Sequence, residues 1–117
     1  MQDSVQDGWY ATIEKSKEKA RKFLNHVVAI NQTTSIVVGK LESVEIDKLF
    51  HLKYPYCKLT MRKPVRFRMD GRLEFEMGEQ DLVFVSKPEM VLDIKELEKR
   101  FPRIYENILG KIKTEVW

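Results

Sequence analysis

At 117 residues, 43% of them hydrophobic and 33% charged, the chain is long enough to bury its own core, and its composition excludes a disordered or fibrous polymer. Its longest apolar runs are stretches such as Leu82–Val85, too short for a membrane-spanning helix, and a single cysteine, Cys57, excludes an internal disulfide. The formal charge of +3 is small but uneven.

Met1-Gln2-Asp3-Ser4 has neither a basic start nor an apolar core, so no secretory signal is expected. With one unpaired thiol this predicts a cytoplasmic location, and the length predicts one domain over 1–117. Residues 9–31 carry five cations against two acids. Residues 58–72 carry six against one, and residues 73–100 reverse the sign with eight acids against four cations. Such polarity bears on partners, not on fold.

Residues 1–8 are polar and are expected to fray. From Trp9 to Asn31 the spacing of Ile13, Ala20, Leu24 and Val27 predicts a helix, flanked by Trp9 and Phe23 and ended by Asn31-Gln32-Thr33-Thr34. From 34 to 86 the pattern is β-rich. Ile36-Val37-Val38 and Val44-Glu45-Ile46 are β-branched, and the change of apolar parity between Leu41 and Val44 predicts a bulge or bend. Phe50, Leu52 and Tyr54 alternate up to Pro55; Cys57, Leu59 and Met61 alternate up to Pro64. The two prolines predict strand ends or edges.

Asp70-Gly71 predicts a hairpin turn between Val65–Met69 and Leu73–Met77. A three-residue loop is needed to keep the apolar residues on one face. Either Met69 opposes Leu73, or Gly71 takes a left-handed conformation and Phe67 opposes Leu73. The first register places Arg68 against Glu74 and Arg66 against Glu76, and the second places Arg66 against Glu74, so either way the polar face is an arginine–glutamate ladder. Leu82-Val83-Phe84-Val85 predicts a strand buried on both faces.

Residues 93–116 read as helical. Asp93 with Glu96 resembles a capping box, with Ser86 and Glu89 as a rival start. Pro102 suits a first helical position, and Ile104, Ile108, Ile112 and Val116 form a stripe behind it. The expected fold is therefore α+β: an N-terminal helix, a five- or six-stranded antiparallel and strongly bent sheet, and two C-terminal helices. Closure of the sheet into a small barrel is left open.

Most chemistries find no support in the spacing. His26 and His51 have no neighbouring ligands in a metal pattern, and Cys57 sits among apolar residues, so neither a metal site nor a cysteine nucleophile is expected. The five glycines form no phosphate-binding string, and no cofactor is expected. Glu74 and Glu76 share a strand face but are accounted for by the arginines opposite. Arg62-Lys63-Pro64-Val65-Arg66 matches the Arg-x-x-x-Arg half of the PilZ domains, but the Asp/Asn-x-Ser-x-x-Gly half is absent, so no family is assigned.

What remains is a non-enzymatic binding module with two readings. In the first, nucleic acid binds a basic surface: Lys58, Arg62, Lys63 and Arg72 meet phosphates, and Tyr54 and Tyr56 offer stacking surfaces. In the second, helix stripes or a sheet edge bind a protein partner or a second copy, with no role for nucleic acid. Neither reading involves a membrane.

Overall fold

A computed structural model describes residues 4–47, 55–113 and 117. The elements are α1 (Ser4–Arg21), β1 (Val27–Asn31), β2 (Ser35–Asp47), β3 (Tyr56–Arg68), β4 (Leu73–Glu76), β5 (Gln80–Val85), β6 (Val91–Leu92), α2 (Ile94–Arg100) and α3 (Pro102–Lys113). The fold is α+β, with an antiparallel sheet of six strands between one N-terminal and two C-terminal helices in chain order. The neighbour order is β4-β3-β2-β1-β6, and β5 pairs with β3 beyond the end of β4. The sheet is open, not a barrel.

Trp9, Ile13, Ser16 and Ala20 follow one another at steps of four, three and four, which puts them on one face of α1. Ile13, Ser16 and Ala20 are fully buried there. The hydroxyl of Ser16 donates to the Thr12 carbonyl at 2.9 Å, so its burial leaves no polar atom orphaned.

The helix differs from expectation at both ends. It starts at Ser4, within the stretch expected to fray, and stops at Arg21, ten residues before the expected Asn31. Asn25 takes a left-handed backbone (φ 67°), and Val27–Asn31 is a strand. The reason is burial. Val28 and Ile30 face the core shared with α1, while Ala29 faces the opposite core, an arrangement only an extended segment allows. Gln32-Thr33-Thr34 is accordingly a hairpin turn between β1 and β2, not a helix end.

The sheet has a core on each face. On the inner face, α1 packs with Ile13 and Ala20 against Val37, Leu41, Cys57, Leu59, Met61, Val83 and Val85. On the outer face, α2 and α3 pack Leu97, Ile104 and Ile108 against Ala29, Ile36, Val38, Val65 and Phe67. Asp93 caps α2 by accepting from the Glu96 backbone at 2.7 Å, and Pro102 opens α3, both as expected. Val116 lies outside the described residues.

Strand curvature comes from the expected bulge and an unexpected one. The β2–β3 register shifts between Leu41 and Ser43, where the apolar parity had changed, and again between Val38 and Lys40. At the second break Lys63 adopts φ 48°. The break reverses the faces of β3: Cys57, Leu59 and Met61 point inward, whereas Val65 and Phe67, of the same parity, point outward.

Pro64 therefore lies inside a central strand, contrary to expectation, but at a bulge and at the gap between β4 and β5. Pro55 does precede its strand. The strong bend has a second sign. Val85 pairs with Cys57 opposite Ile46, and Val91 pairs with Ile30 opposite Val37. Nine residues of flat β2 would separate those rows by about 30 Å. The six steps from Val85 to Val91 reach at most about 21 Å, so the sheet must curl around α1.

Candidate functional site

The register builds one surface from rows of side chains. Across β2, β3 and β5, Lys40 faces Arg62 and Gln80; Ser43 faces Thr60 and Leu82; Glu45 faces Lys58 and Phe84; Asp47 faces Tyr56. Cross-strand partners point to one side of a sheet. The alternate residues of β3, Cys57, Leu59 and Met61, enter the inner core, so these rows occupy the outer face. Helices α2 and α3 cover the outer face over Val38, Val65 and Phe67 and reach as far as Lys40, which shares a cavity with Ile94, Lys111, Ile112 and Trp117; Arg62, Glu45, Leu82 and Phe84 are exposed on the rows beyond.

Aromatic and apolar groups lie open on that face. Phe84 is 37% and Leu82 47% exposed, so β5 alternates instead of being buried on both sides. This corrects the expectation for Leu82–Val85. The strand is an edge, with only Val83 and Val85 turned to the core. Tyr56 meets Phe84 edge-on with centroids 6.4 Å apart and Trp9 edge-on at 5.4 Å. The Trp9 indole donates to the Pro55 carbonyl at 2.6 Å, which fixes this corner.

The six residues singled out from sequence fall into separate places. Tyr56, Lys58 and Arg62 share the outer face at two- and four-residue steps along β3. Lys58 lies 3.4 Å from Glu45 and 3.9 Å from Asp47, so its charge is already engaged. Arg62 is exposed and forms no ion pair among the described residues. Lys63 sits in the bulge, where its carbonyl accepts from the Trp117 indole at 2.8 Å. Arg72 is in the β3–β4 turn, paired with Asp70 at 3.1 Å and roughly 20 Å along β3 from Arg62. Tyr54 and His51 lie outside the described residues.

Lys40, Phe84 and Leu82 were missed. Lys40 belongs to the face only because it pairs with Arg62 across a bulge, and nothing local signals that partner. Phe84 and Leu82 carry an alternation that an unbroken apolar run conceals.

The expected arginine–glutamate ladder is absent. Phe67 does pair with Leu73, and Gly71 is left-handed at φ 95°, as one of the two expected registers requires. A bulge beyond Phe67 then skips Glu74, so that Arg66 pairs with Phe75 and its guanidinium lies 5.4 Å from that ring's centroid. Glu76 instead meets Lys111 at 3.3 Å.

The Cys57 thiol is fully buried, and burial pushes its pKa up to about 11, which leaves it a poor nucleophile. Among the described residues no group of three or more His, Cys, Asp or Glu is arranged to hold a metal ion, and no helix is long and apolar enough to cross a membrane. No protein-family model matches the chain, and no solved structure matches it significantly.

Proposed function

We propose that the chain is a non-enzymatic module that binds single-stranded nucleic acid on the outer face of β2, β3 and β5. The observation that carries the reading is the placement of exposed Phe84, next to Tyr56, on the same face as exposed Arg62, with Lys40 at the border where α2 and α3 begin to cover it. Unstacked bases gain from lying on aromatic rings, and the phosphates of neighbouring nucleotides gain from cations along the same groove. Lys58 offsets one of the two negative charges of Glu45 and Asp47 in the middle of the face, so the acids oppose a phosphate less than their number implies. The shape favours single strands, because a duplex hides the base faces that Phe84 and Tyr56 would meet. Lys63 and Arg72 fall outside this site. A cytoplasmic location belongs to the same proposal, since a reducing compartment keeps buried Cys57 as a thiol.

Labelled oligodeoxythymidylate and a duplex of equal length, titrated at low and at physiological salt, test the reading. Micromolar affinity for the single strand that weakens with salt supports it. No binding at low salt removes it.

A further inference from the structure

β5 is an open edge of the sheet. Its inner side pairs with β3 without interruption from Gln80↔Arg62 to Val85↔Cys57, and no described strand pairs with its outer side. Two contacts fix which backbone groups face out. The Glu79 carbonyl accepts from Lys63 N at 2.7 Å, which turns the odd positions toward β3. Leu82 N donates to the side chain of Asp81 at 2.8 Å and not to β3, which turns the even positions away from it. Gln80, Leu82 and Phe84 thus aim their backbone donors and acceptors outward. Natural edges are commonly blunted by lysine, proline or a bulge. β5 contains none of these, and it exposes Leu82 and Phe84 along an edge whose one outward donor with a partner, Leu82 N–H, is held only by the side chain of neighbouring Asp81.

Read antiparallel to itself about Val83, the segment sets its exposed apolar pair and its flanking opposite charges against each other, with Asp81 against Val85. We infer that β5 pairs with β5 of a second copy of this chain, with the two-fold axis at Val83. In that register Leu82 lies opposite Phe84 of the second copy, Gln80 opposite Ser86, and Glu79 opposite Lys87, each contact occurring twice. Glu79 and Lys87 are exposed and form no ion pair among the described residues. Lys87 has extended torsions (φ −140°, ψ 141°) two residues beyond the end of β5, and Glu79 immediately precedes its start. The neighbouring registers that keep outward groups facing one another are poorer. Shifting by two residues one way sets Glu79 against Val85 and Lys87 against Met77. The other way sets Asp81 against Lys87 but Glu79 against Glu89.

The pairing makes one continuous sheet of two chains and brings their outer faces side by side. It does not rest on the nucleic-acid reading, and its test contains no nucleic acid. Sedimentation of the full chain over micromolar to millimolar concentration reads the mass, with 13.9 kDa for one chain. The expected result is a reversible rise to twice that value. Leu82→Pro removes an outward donor and leaves the β3 ladder intact, and it weakens association roughly tenfold or more, since two symmetry-related donors are lost. Surface variants guard against a folding defect. Lys87→Glu and Glu79→Lys each weaken association, and the double variant restores it. A chain that stays single throughout, or a dimer indifferent to Leu82→Pro and to both charge reversals, overturns the proposal. Loss in both single reversals without recovery in the double variant overturns this register.

Discussion

The indole N–H of Trp117 donates to the carbonyl of Lys63 at 2.8 Å, which fastens the last residue to the break in β3. Lys63 is left-handed at φ 48°, and that turn reverses the faces of the strand on either side of it. Removing the indole donor by Trp117→Phe is expected to cost about 1 kcal/mol in urea denaturation, as for an ordinary part-buried hydrogen bond. The backbone strain is testable separately. Lys63→Val, with a branched side chain at positive φ, is expected to cost about 1–2 kcal/mol more than Lys63→Gly. Equal stability of the two variants would mean the bulge does not impose its conformation.

The β3–β4 turn gives a second test of backbone geometry. Gly71 has φ 95°, and a Cβ built on it would lie 2.5 Å from Cβ of Arg103. Its carbonyl also accepts from the side chain of Asn107 at 2.7 Å, so α3 holds the turn from two sides. Gly78 has nearly the same φ, 91°, but open space where a Cβ would stand. Gly78→Ala should therefore show the conformational cost alone, about 1 kcal/mol. Gly71→Ala should cost about 2 kcal/mol or more because α3 must also shift. The difference between the two melting curves isolates the contact with Arg103.

Features set by local chemistry were legible in the sequence. Asp93 as a cap, Pro102 as a helix start, Gly71 as a left-handed turn residue and the bulge near Leu41 each depend on residues within a few positions. The misreadings share a different cause. Val27–Ile30 continues the helical spacing of Ile13 and Ala20, and only a sheet with a core on each face makes it a strand. Arg66 missed Glu74 because a bulge, invisible in the alternation of Val65–Met77, moved Phe75 opposite it. Leu82 and Phe84 looked buried because β5 borders only β3, a fact of strand order that no window of sequence carries. The same limit applied to the candidate site, since Lys40 and Arg62 meet only through pairing.

Buried Cys57 makes stability depend on pH in a definite direction. Burial raises its pKa from 9.0 to about 11, so from pH 9 upward the unfolded chain releases a proton that the folded chain keeps. The unfolded state then binds fewer protons, and stability falls with rising pH. The contribution is complete below pH 9 and is lost as pH climbs toward 11. Lysines and tyrosines titrate in the same window, so the comparison needs Cys57→Ala as reference. Urea midpoints of the wild type should fall more steeply between pH 9 and 11 than those of the variant. Parallel slopes would show that the thiol is not desolvated.

The outer face can be dissected by substitutions that separate charge from stacking. Arg62→Glu, exposed and without an ion pair among the described residues, should leave the fold intact. It should weaken oligodeoxythymidylate binding and lower the slope of log affinity against log salt by about 1 or more. Phe84→Ala should weaken binding by about 1–3 kcal/mol with the salt slope unchanged, because stacking releases no counterions. Arg72→Glu, held by Asp70 at the far end of β3, should change neither quantity beyond a small general field effect. Phe84 also lies at the β5 edge, whereas Arg62 is on the central strand. A loss seen with Phe84→Ala but not with Arg62→Glu would point to association of the chain, not to contact with nucleic acid. Losses of both kinds, one salt-dependent and one not, would place base and phosphate on the same sheet face.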